Sequence, residues 1–394
     1  MRAILLPRPT LMIALNTAPP ADVLQAIVHA DPAPYYAELA AQRPFFFDAA
    51  LGWWVAAGAE AVDAVLGNAA CRVRPADEPV PKAVAATPTG EFFGRLVRQI
   101  DGPDHSARKA KVMTALGRLD VSTLAGHAQR NARTALREAA SLDAALDTDA
   151  HFRVPLATMT HTLLGNGADA PACQADIAAY LAALSPGASA IAVAQADAAV
   201  GRLQQRFADS PFAGADADAD DDSDADIANL AALLAQTYDA CAGLLGNCIV
   251  ALSRHAGLTA RLRAQPDAIE PFVREVLRRD APVQNTRRFV AHDVELLGHP
   301  LRAGDKILVL LAAANLDGTT NPDPLRFDID RTAPRLWTFG GGAHRCPADA
   351  LATAIARETV RHLLSLQEVD RWLAGLGEVA YRPSPNARIP HFQA

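Results

Sequence analysis

The chain has 394 residues, half of them hydrophobic, and a formal net charge of −7. This length supports a large buried core, and a weakly acidic chain without a basic stripe argues against nucleic acid or an acidic membrane surface as a partner. Five scattered cysteines without a CxxC pair argue against a zinc site and a disulfide framework, and they fit a reducing cytoplasm.

Alanine-rich runs with a helical period of 3.6 recur through most of the sequence. They predict helices over 21–31, 35–42, 58–67, 106–117, 122–141, 154–164, 172–184, 189–207, 226–254, 258–264, 267–279 and 350–364. Short runs of aromatic and β-branched residues predict strands at 45–47, 53–56, 288–291, 294–297 and 307–310. No linker divides the chain, so we expect one mainly α domain over residues 1–394, with a small β region near the N-terminus.

Two segments are not expected to join this core. Residues 1–15 are mildly apolar but interrupted by prolines, so we expect neither a signal peptide nor a membrane anchor there. Residues 213–226 read AGADADADDDSDAD, which predicts a solvated, flexible surface loop rather than a calcium site, because the glycine and glutamate of an EF-hand loop are missing in register. Asp224 or Asp226 is expected to cap the long helix that follows.

The strongest local signal is the segment Phe339–Pro347, which reads FGGGAHRCP. Its three glycines allow a tight turn and a close approach to a flat partner. Cys346 precedes a helical run, with Pro347 expected as the first helical residue. Free N–H groups and the helix dipole stabilise a thiolate at such a position, and a thiolate can ligate iron. The ordinary alternative for a lone cysteine before a helix is an inert buried thiol.

This FxxGxHxC pattern resembles the haem-binding loop of the cytochrome P450 superfamily. Glu275 and Arg278 match the ExxR pair of that family, and residues three apart on a helix can form an ion pair, which we interpret as structural. Further similar segments follow in the family's order, so that the resemblance covers residues 30–394. They are 31–36, 51–55, 101–105, 282–288, 314–317, 322–328 and 356–358.

The resemblance implies the cytochrome P450 fold, with a large helical region and a small β-rich region. It also implies one non-covalent haem b between the 226–254 helix and the Cys346 loop, with Cys346 as the iron ligand. Phe339 is expected beside the thiolate, in the turn that contains Gly340. The resemblance places the haem propionates near His105, Lys109, Arg288 and His344, with Arg108 and Arg287 as neighbouring substitutes.

The helix expected over the distal side of the haem departs from the family pattern. Gly246 and Asn247 fix the alignment of this helix with the family pattern. In that alignment the usual acid is present as Asp239. Ala240 stands where the family has a threonine, and Thr237 stands where it has a glycine. That threonine matters because a hydroxyl can hold a water or donate a hydrogen bond during dioxygen activation, which alanine cannot do. By helical spacing, the stripe 236, 240, 243 and 247, starting with Gln236, is expected to face the haem.

Three interpretations of this helix stay open. A monooxygenase can take protons from a substrate hydroxyl or an ordered water, with Asp239 or Gln236 as relay. A second possibility is a haem-thiolate enzyme that uses peroxide or performs non-oxygenase chemistry such as rearrangement or dehydration. The third is a non-catalytic haem-binding sensor. We rank them in that order, because a retained Asp239 favours proton delivery.

The main hypothesis is therefore a cytoplasmic monooxygenase that inserts one oxygen atom into a small or medium organic substrate. The resemblance implies electrons from a ferredoxin and a ferredoxin reductase. It also places the substrate pocket among residues 70–95, 165–190, 236–244, 284–290 and 385–389. That set includes Arg72, Arg74 and Arg287, which could bind a carboxylate substrate but are more often propionate-binding or exposed.

Overall fold

The structure is a computed structural model that describes residues 18–137, 149–213 and 223–392. Most of the described chain is helical. The helices are α1 Ala33–Gln42, α2 Ala59–Gly67, α3 Pro88–Gly94, α4 Pro103–Gly117, α5 Val121–Arg137, α6 Ala150–Leu164, α7 Ala170–Ala183, α8 Ala190–Ala208, α9 Ser223–Arg254, α10 Leu258–Ala264, α11 Ile269–Arg279, α12 Leu311–Asn315, α13 Asp349–Leu364 and α14 Val369–Gly375. Short 3-10 turns lie at Gln25–Val28, Val97–Gln99, Pro266–Ala268 and Gly342–His344.

The strands form one five-stranded sheet and two small antiparallel pairs. They are β1 Phe45–Asp48, β2 Trp53–Ala56, β3 Cys71–Arg72, β4 Thr286–Val290, β5 Val294–Leu296, β6 His299–Leu301, β7 Lys306–Val309, β8 Ala380–Tyr381 and β9 Pro390–His391. The large sheet has the order β1-β2-β7-β4-β3, and only its β2–β7 pairing is parallel, with Trp54 opposite Ile307. β5 pairs with β6, and β8 with β9.

The mainly α fold class predicted from the sequence is confirmed. The small β region is present but is not restricted to the N-terminal part, because β4 and β7, from the second half of the chain, join the N-terminal strands in one sheet. Local patterns cannot show this, since strand pairing is decided by tertiary contacts. The helix predicted over 21–31 is only the 3-10 turn Gln25–Val28, whereas α3, α12 and α14 were not predicted.

The acidic run lies largely outside the described residues, as does the segment 1–15. The end of the acidic run is helical, because α9 begins at Ser223 and has Asp224 and Asp226 in its first turn. They pair there with Arg95 (3.5 Å) and Lys111 (3.3 Å). Carboxylates in a first turn also interact favourably with the helix dipole, so both residues stabilise the start of α9 from inside the helix.

α9 is the central element of the fold, with 32 residues that are buried along most of its length. Its first part, 228–234, belongs to a core built with α5–α8, and its later part, 244–252, belongs to a second core with α11 and α13. Gly243 and Gly246 bring α9 close to the C-terminal segment: a Cβ at Gly243 would lie 2.8 Å from the Arg388 carbonyl oxygen, and one at Gly246 would lie 2.7 Å from the Pro390 ring. The segment between the two cores is therefore held from both ends.

The Glu275–Arg278 pair lies in the interior rather than on the surface. The two side chains form a bidentate ion pair at 2.7 and 2.8 Å, and both are almost fully buried. Arg278 also donates to the carbonyls of Pro324 (2.8 Å) and Arg326 (3.0 Å), and Glu275 accepts from the Asp328 N–H (2.9 Å). The pair thus anchors α11 to the segment that leads toward Cys346.

Within the described ranges, none of the helices combines the length and the apolar character that crossing a membrane requires.

Candidate active site

A cavity of about 510 Å³ lies between α4, α9, β4 and the Phe339–Pro347 loop. Its volume is in the range of small-molecule and cofactor sites. Residues from many separate parts of the chain line it: Val73, Arg74, Val97–Gln99, His105, Lys109, Val112, Met159, Asn229, Leu233, Gln236, Thr237, Ala240, Cys241, Leu244, Leu277, Pro282, Val283, Asn285–Phe289, Leu311, Thr338–Gly340, His344–Ala348, Leu351, Ala352, Ile355, Pro385 and Asn386.

The Phe339–Pro347 loop is shaped by its glycines. Gly340 and Gly342 have positive φ angles of 69° and 59°, which side-chain-bearing residues rarely adopt. A Cβ at Gly342 would lie 2.1 Å from the carbonyl oxygen of Leu66, so the loop packs directly on the end of α2. The Cys346 N–H donates to the Phe339 carbonyl (2.9 Å), which closes the turn and directs both side chains to the cavity.

The start of the following helix differs from the expectation. α13 begins at Asp349, with Ala348 as its N-cap, so Pro347 is not the first helical residue. The Cys346 Sγ still accepts a hydrogen bond from the Ala348 N–H at 3.4 Å. Burial raises the pKa of the Cys346 thiol, and the Ala348 N–H, Arg98 and Lys109 offset this effect only in part. A thiolate in this cavity therefore needs a further positive partner.

The two histidines predicted near the propionates lie together at one end of the cavity. Their ring centroids are 4.2 Å apart, and His344 Nε2 lies 3.0 Å from an Asp101 carboxylate oxygen. Burial, together with His344 and Lys109, lowers the pKa of His105 to about 4, so His105 is neutral near pH 7. Lys109 donates to the carbonyls of Ala343 (2.7 Å) and Arg345 (2.6 Å), which ties α4 to the loop.

Of the two neighbouring arginines, Arg288 is the buried one, with 5% of its surface exposed. It lines the cavity and donates to the Thr286 hydroxyl (3.3 Å) and the Arg287 carbonyl (2.8 Å). Arg287 is exposed, and its guanidinium lies 5.6 Å from the centre of the Trp53 ring. The alternation of side chains along β4 explains the difference, because successive residues point to opposite faces of a sheet.

The cavity-facing side of α9 carries three of the four predicted distal residues. Gln236, Thr237 and Ala240 line the cavity, and the Thr237 hydroxyl donates to the Leu233 carbonyl one turn earlier (2.8 Å). Beyond Ala240, the residues that face the cavity are not the expected 243 and 247. Gly243 contacts Pro282, and the Asn247 amide donates to the Asp280 carbonyl (2.7 Å), while Cys241 and Leu244 continue the lining.

Comparison with known proteins agrees with this arrangement of a cavity, a cysteine loop and a central helix. The family model Cytochrome P450 matches residues 249–370, which contain α11, the Cys346 loop and α13. Putative cytochrome P450 140 of Mycobacterium bovis is 41% identical over 123 residues, covering 31% of this chain and 28% of that protein. Vitamin D(3) 25-hydroxylase of Pseudonocardia autotrophica is 36% identical over 157 residues, covering 40% of this chain and 39% of that protein.

Fold comparison covers far more of the chain. The solved structure of P450BioI, in complex with an acyl carrier protein ligated to hexadec-9Z-enoic acid, matches with a TM-score of 0.76 and 20% identity over 91% of this chain and 96% of that chain. Residues 249–370 therefore match the cytochrome P450 family, and the chain as a whole has the cytochrome P450 fold. It spans 28% and 39% of the length of the two curated relatives, and it shares with them the segment around the cysteine loop.

Asp239 is the predicted site residue that does not line the cavity. It is partly buried on a neighbouring face of α9. Burial raises the pKa of its carboxyl group, and Arg382 offsets that effect in part. The polar α9 side chains that reach the described cavity itself are Asn229, Gln236 and Thr237.

Several lining residues were not predicted. The turn Val97–Gln99 and Asn229 line the cavity, whereas no residue of the predicted range 165–190 does so in the described chain. Arg72 is also absent from the described lining, although Arg74 is present. The Val97–Gln99 turn lies outside the motifs on which the resemblance depends, so the sequence offered no signal for it.

The lining of the cavity fits a haem, the cofactor that the match to the cytochrome P450 family implies. A partly buried thiol, Cys346, faces a space whose walls include apolar side chains such as Leu233, Leu244 and Phe339. The described lining contains arginine, lysine and histidine but no aspartate or glutamate. Such a set suits a flat apolar ring with two carboxylates, because buried charges need partners of opposite sign.

Proposed function

We propose that this protein is a haem-thiolate monooxygenase that binds haem b and inserts one oxygen atom into a small or medium organic substrate. The observation that carries the proposal is the position of Cys346, whose sulfur faces the cavity beside the N–H of Ala348. Bound haem would supply iron for dioxygen chemistry, and a thiolate ligand favours cleavage of the O–O bond. The positive partner that the thiol lacks is, in this proposal, the iron.

The propionates would be held by the group of basic side chains around α4 and β4. Arg288 is buried and planar, which suits bidentate contact with a carboxylate. His105 and His344 each have a ring nitrogen that can donate to a second carboxylate. Lys109 is bonded to carbonyls of the loop, so its contribution is to hold the loop against α4 as well as to add positive charge.

Proton delivery has to proceed without a hydroxyl at position 240. Gln236 and Thr237 lie one turn earlier on the same face and can hold a water or a substrate hydroxyl near Ala240. The Thr237 hydroxyl donates its hydrogen to the Leu233 carbonyl, and its oxygen can still accept a hydrogen bond. Asp239, whose pKa burial raises, is the neighbouring group that can exchange protons with such a water.

The resemblance to bacterial members of the superfamily supports electron supply by a ferredoxin and a ferredoxin reductase in the cytoplasm. One observation favours a second candidate function, namely peroxide-driven or non-oxygenase chemistry at the same haem. It is the methyl group of Ala240, which cannot donate a hydrogen bond. A non-catalytic sensor is the third candidate, since it needs no proton relay.

The deciding experiment is the absorption spectrum of the purified protein, reduced and exposed to carbon monoxide. We expect a strongly red-shifted Soret band, as thiolate ligation produces, and its loss in the Cys346→Ser variant. Cys241→Ser is the matched control, because Cys241 also lines the cavity but lies in mid-helix on α9. Burial raises the pKa of Cys241 to about 12, so this thiol is protonated and should not ligate iron.

A wild-type spectrum without haem, or with haem but without the shifted band, overturns the proposal. Retention of the band in Cys346→Ser together with its loss in Cys241→Ser would move the iron ligand to α9. Substrate screening then separates the candidate functions. Consumption of NADPH with product formation supports the monooxygenase, product formed only with peroxide supports the second candidate, and tight ligand binding without turnover supports the sensor.

A further inference from the structure

Arg98 lines the cavity without a partner. Its guanidinium forms no hydrogen bond and no ion pair with any of the residues that the structure describes, 18–137, 149–213 and 223–392. Desolvation lowers the pKa of Arg98, although the side chain keeps accessible surface where it faces the cavity. A positive charge in such a place is costly unless a group of opposite charge joins it.

The other basic side chains of the lining differ from Arg98 in this respect. Arg74 pairs with Glu78 (3.4 Å), and Arg345 with Asp349 (2.7 Å). Lys109 and Arg288 donate to carbonyl or hydroxyl oxygens, and Arg287 stacks on Trp53. No aspartate or glutamate belongs to the described lining, so the acidic partner of Arg98 has to come from a bound molecule.

The backbone beside Arg98 is held in place before any ligand arrives. Asn229, a buried residue of α9, accepts from the Val97 N–H (2.7 Å) and donates to the Arg95 carbonyl (3.0 Å). These bonds hold the chain on the N-terminal side of Arg98 against α9. Because the backbone is already held, only the Arg98 side chain has to be ordered when a planar anion binds.

We propose that Arg98 binds the carboxylate of the substrate, so that this P450 acts on an organic acid. The inference rests on the proposed function, because it assigns the substrate class of the same cavity. A guanidinium matches a carboxylate through two parallel N–H to oxygen bonds. The rest of the acid would extend along the apolar part of the cavity, toward Leu233 and Leu244.

The surroundings of Arg98 favour a substrate carboxylate over a haem propionate. Arg288, His105 and His344 already supply donors for two propionates. Arg98 lies within electrostatic range of Tyr180 on α7, as well as of Cys346 and Arg288, and the adjacent Val97 packs against the core that contains Tyr180. Phe92 of α3 packs on the same tyrosine ring at 5.2 Å, so Arg98 is close to the α3–α7 side of the cavity.

The experiment uses the haem-loaded protein and probes that bind through the iron. A series of ω-(imidazol-1-yl)alkanoic acids of increasing chain length and the corresponding primary amides are titrated spectroscopically. At the best chain length, we expect the wild type to bind the acid about 10- to 100-fold more tightly than the amide. Arg98→Gln should abolish that preference and leave amide binding unchanged. Arg95→Gln is the matched control, because Arg95 pairs with Asp224 and does not belong to the described lining. This variant should retain the preference for the acid over the amide.

Equal affinity for acid and amide in the wild type overturns the inference, as does an unchanged preference in Arg98→Gln. Haem transfer to apomyoglobin is measured in parallel. Much faster haem loss from Arg98→Gln than from Arg95→Gln would assign Arg98 to a propionate and would also overturn the substrate assignment. The proposed function itself is tested separately by the carbon monoxide spectrum. It fails if the wild-type protein lacks the red-shifted Soret band.

Discussion

Residue 240 lies on the part of α9 that faces the cavity, one helical turn after Gln236, and its side chain is a methyl group. The nearest hydroxyl on the same helix belongs to Thr237, which donates to a carbonyl of its own helix. A water or a substrate hydroxyl therefore has to occupy the space beside Ala240 if protons are to reach the reacting oxygen.

Ala240→Thr tests whether this missing hydroxyl limits the reaction. We expect a larger fraction of the electrons consumed to appear in product, because the new hydroxyl can hold the relay water. Product formed per NADPH oxidised, with the true substrate, is the measurement. Ala240→Val is the control for added bulk without a hydroxyl. If both variants show unchanged or lower coupling, substrate-assisted or oxygen-independent chemistry is favoured.

At the scale of elements, the Cys346 loop depends on contacts with two helices that are remote in sequence. Lys109 of α4 binds the carbonyls of Ala343 and Arg345, and Gly342 packs against the carbonyl of Leu66 at the end of α2. Cys346 is therefore positioned by α2 and α4 together with the start of α13. A change in any of these contacts should alter how firmly the haem is held.

Gly342→Ala should weaken haem retention more than Gly340→Ala. Both residues have positive φ, which costs an alanine about 1–2 kcal/mol. A Cβ at Gly342 also meets the Leu66 oxygen at 2.1 Å, whereas at Gly340 the nearest contact is 3.9 Å. The loop of Gly342→Ala must therefore move. The rate of haem transfer to apomyoglobin measures the effect, and equal rates in the two variants would contradict it.

Elements with a long periodic pattern or a turn motif were predictable from the sequence. The 226–254 helix and the strand at 53–56 are present, and Cys346 faces the cavity as the motif implied. The Val97–Gln99 turn was missed because three residues carry no periodicity, and its place is set by the remote side chain of Asn229. Beyond Ala240, the side of α9 that faces the cavity differs from the predicted stripe, because Gly243 lies close to Pro282 instead of facing the cavity.

At the scale of the whole molecule, His151 makes stability depend on pH. It is 3% exposed, and neither ring nitrogen has a hydrogen-bond partner in the part of the chain that the structure describes. Burial and Arg382 lower the pKa of His151 to about 3. The unfolded chain takes up a proton below about pH 6.5, but the folded protein does not. Stability is therefore complete above pH 6.5 and falls as the pH drops toward 3.

His151→Phe should remove this part of the acid sensitivity. Between pH 7.5 and 5 we expect the wild type to lose about 2 kcal/mol of unfolding free energy through His151 alone. A small cavity of about 30 Å³ lined by His151, Leu245 and Trp372 gives the phenyl ring room. Urea unfolding at the two pH values measures the difference. The exposed His292→Phe serves as control, and equal pH dependence in all three proteins would contradict the prediction.

The cavity joins parts of the chain that are far apart in sequence, from Val73 to Asn386. The last wall is held by the bridge between Val283 and Ala387, well after Cys346. During synthesis on a ribosome, a chain extended only as far as Cys346 already carries the thiol but lacks the wall formed by Pro385 and Asn386. Stable capture of the prosthetic group must therefore wait until this later segment has emerged and docked, so a nascent chain stalled before it should not retain haem.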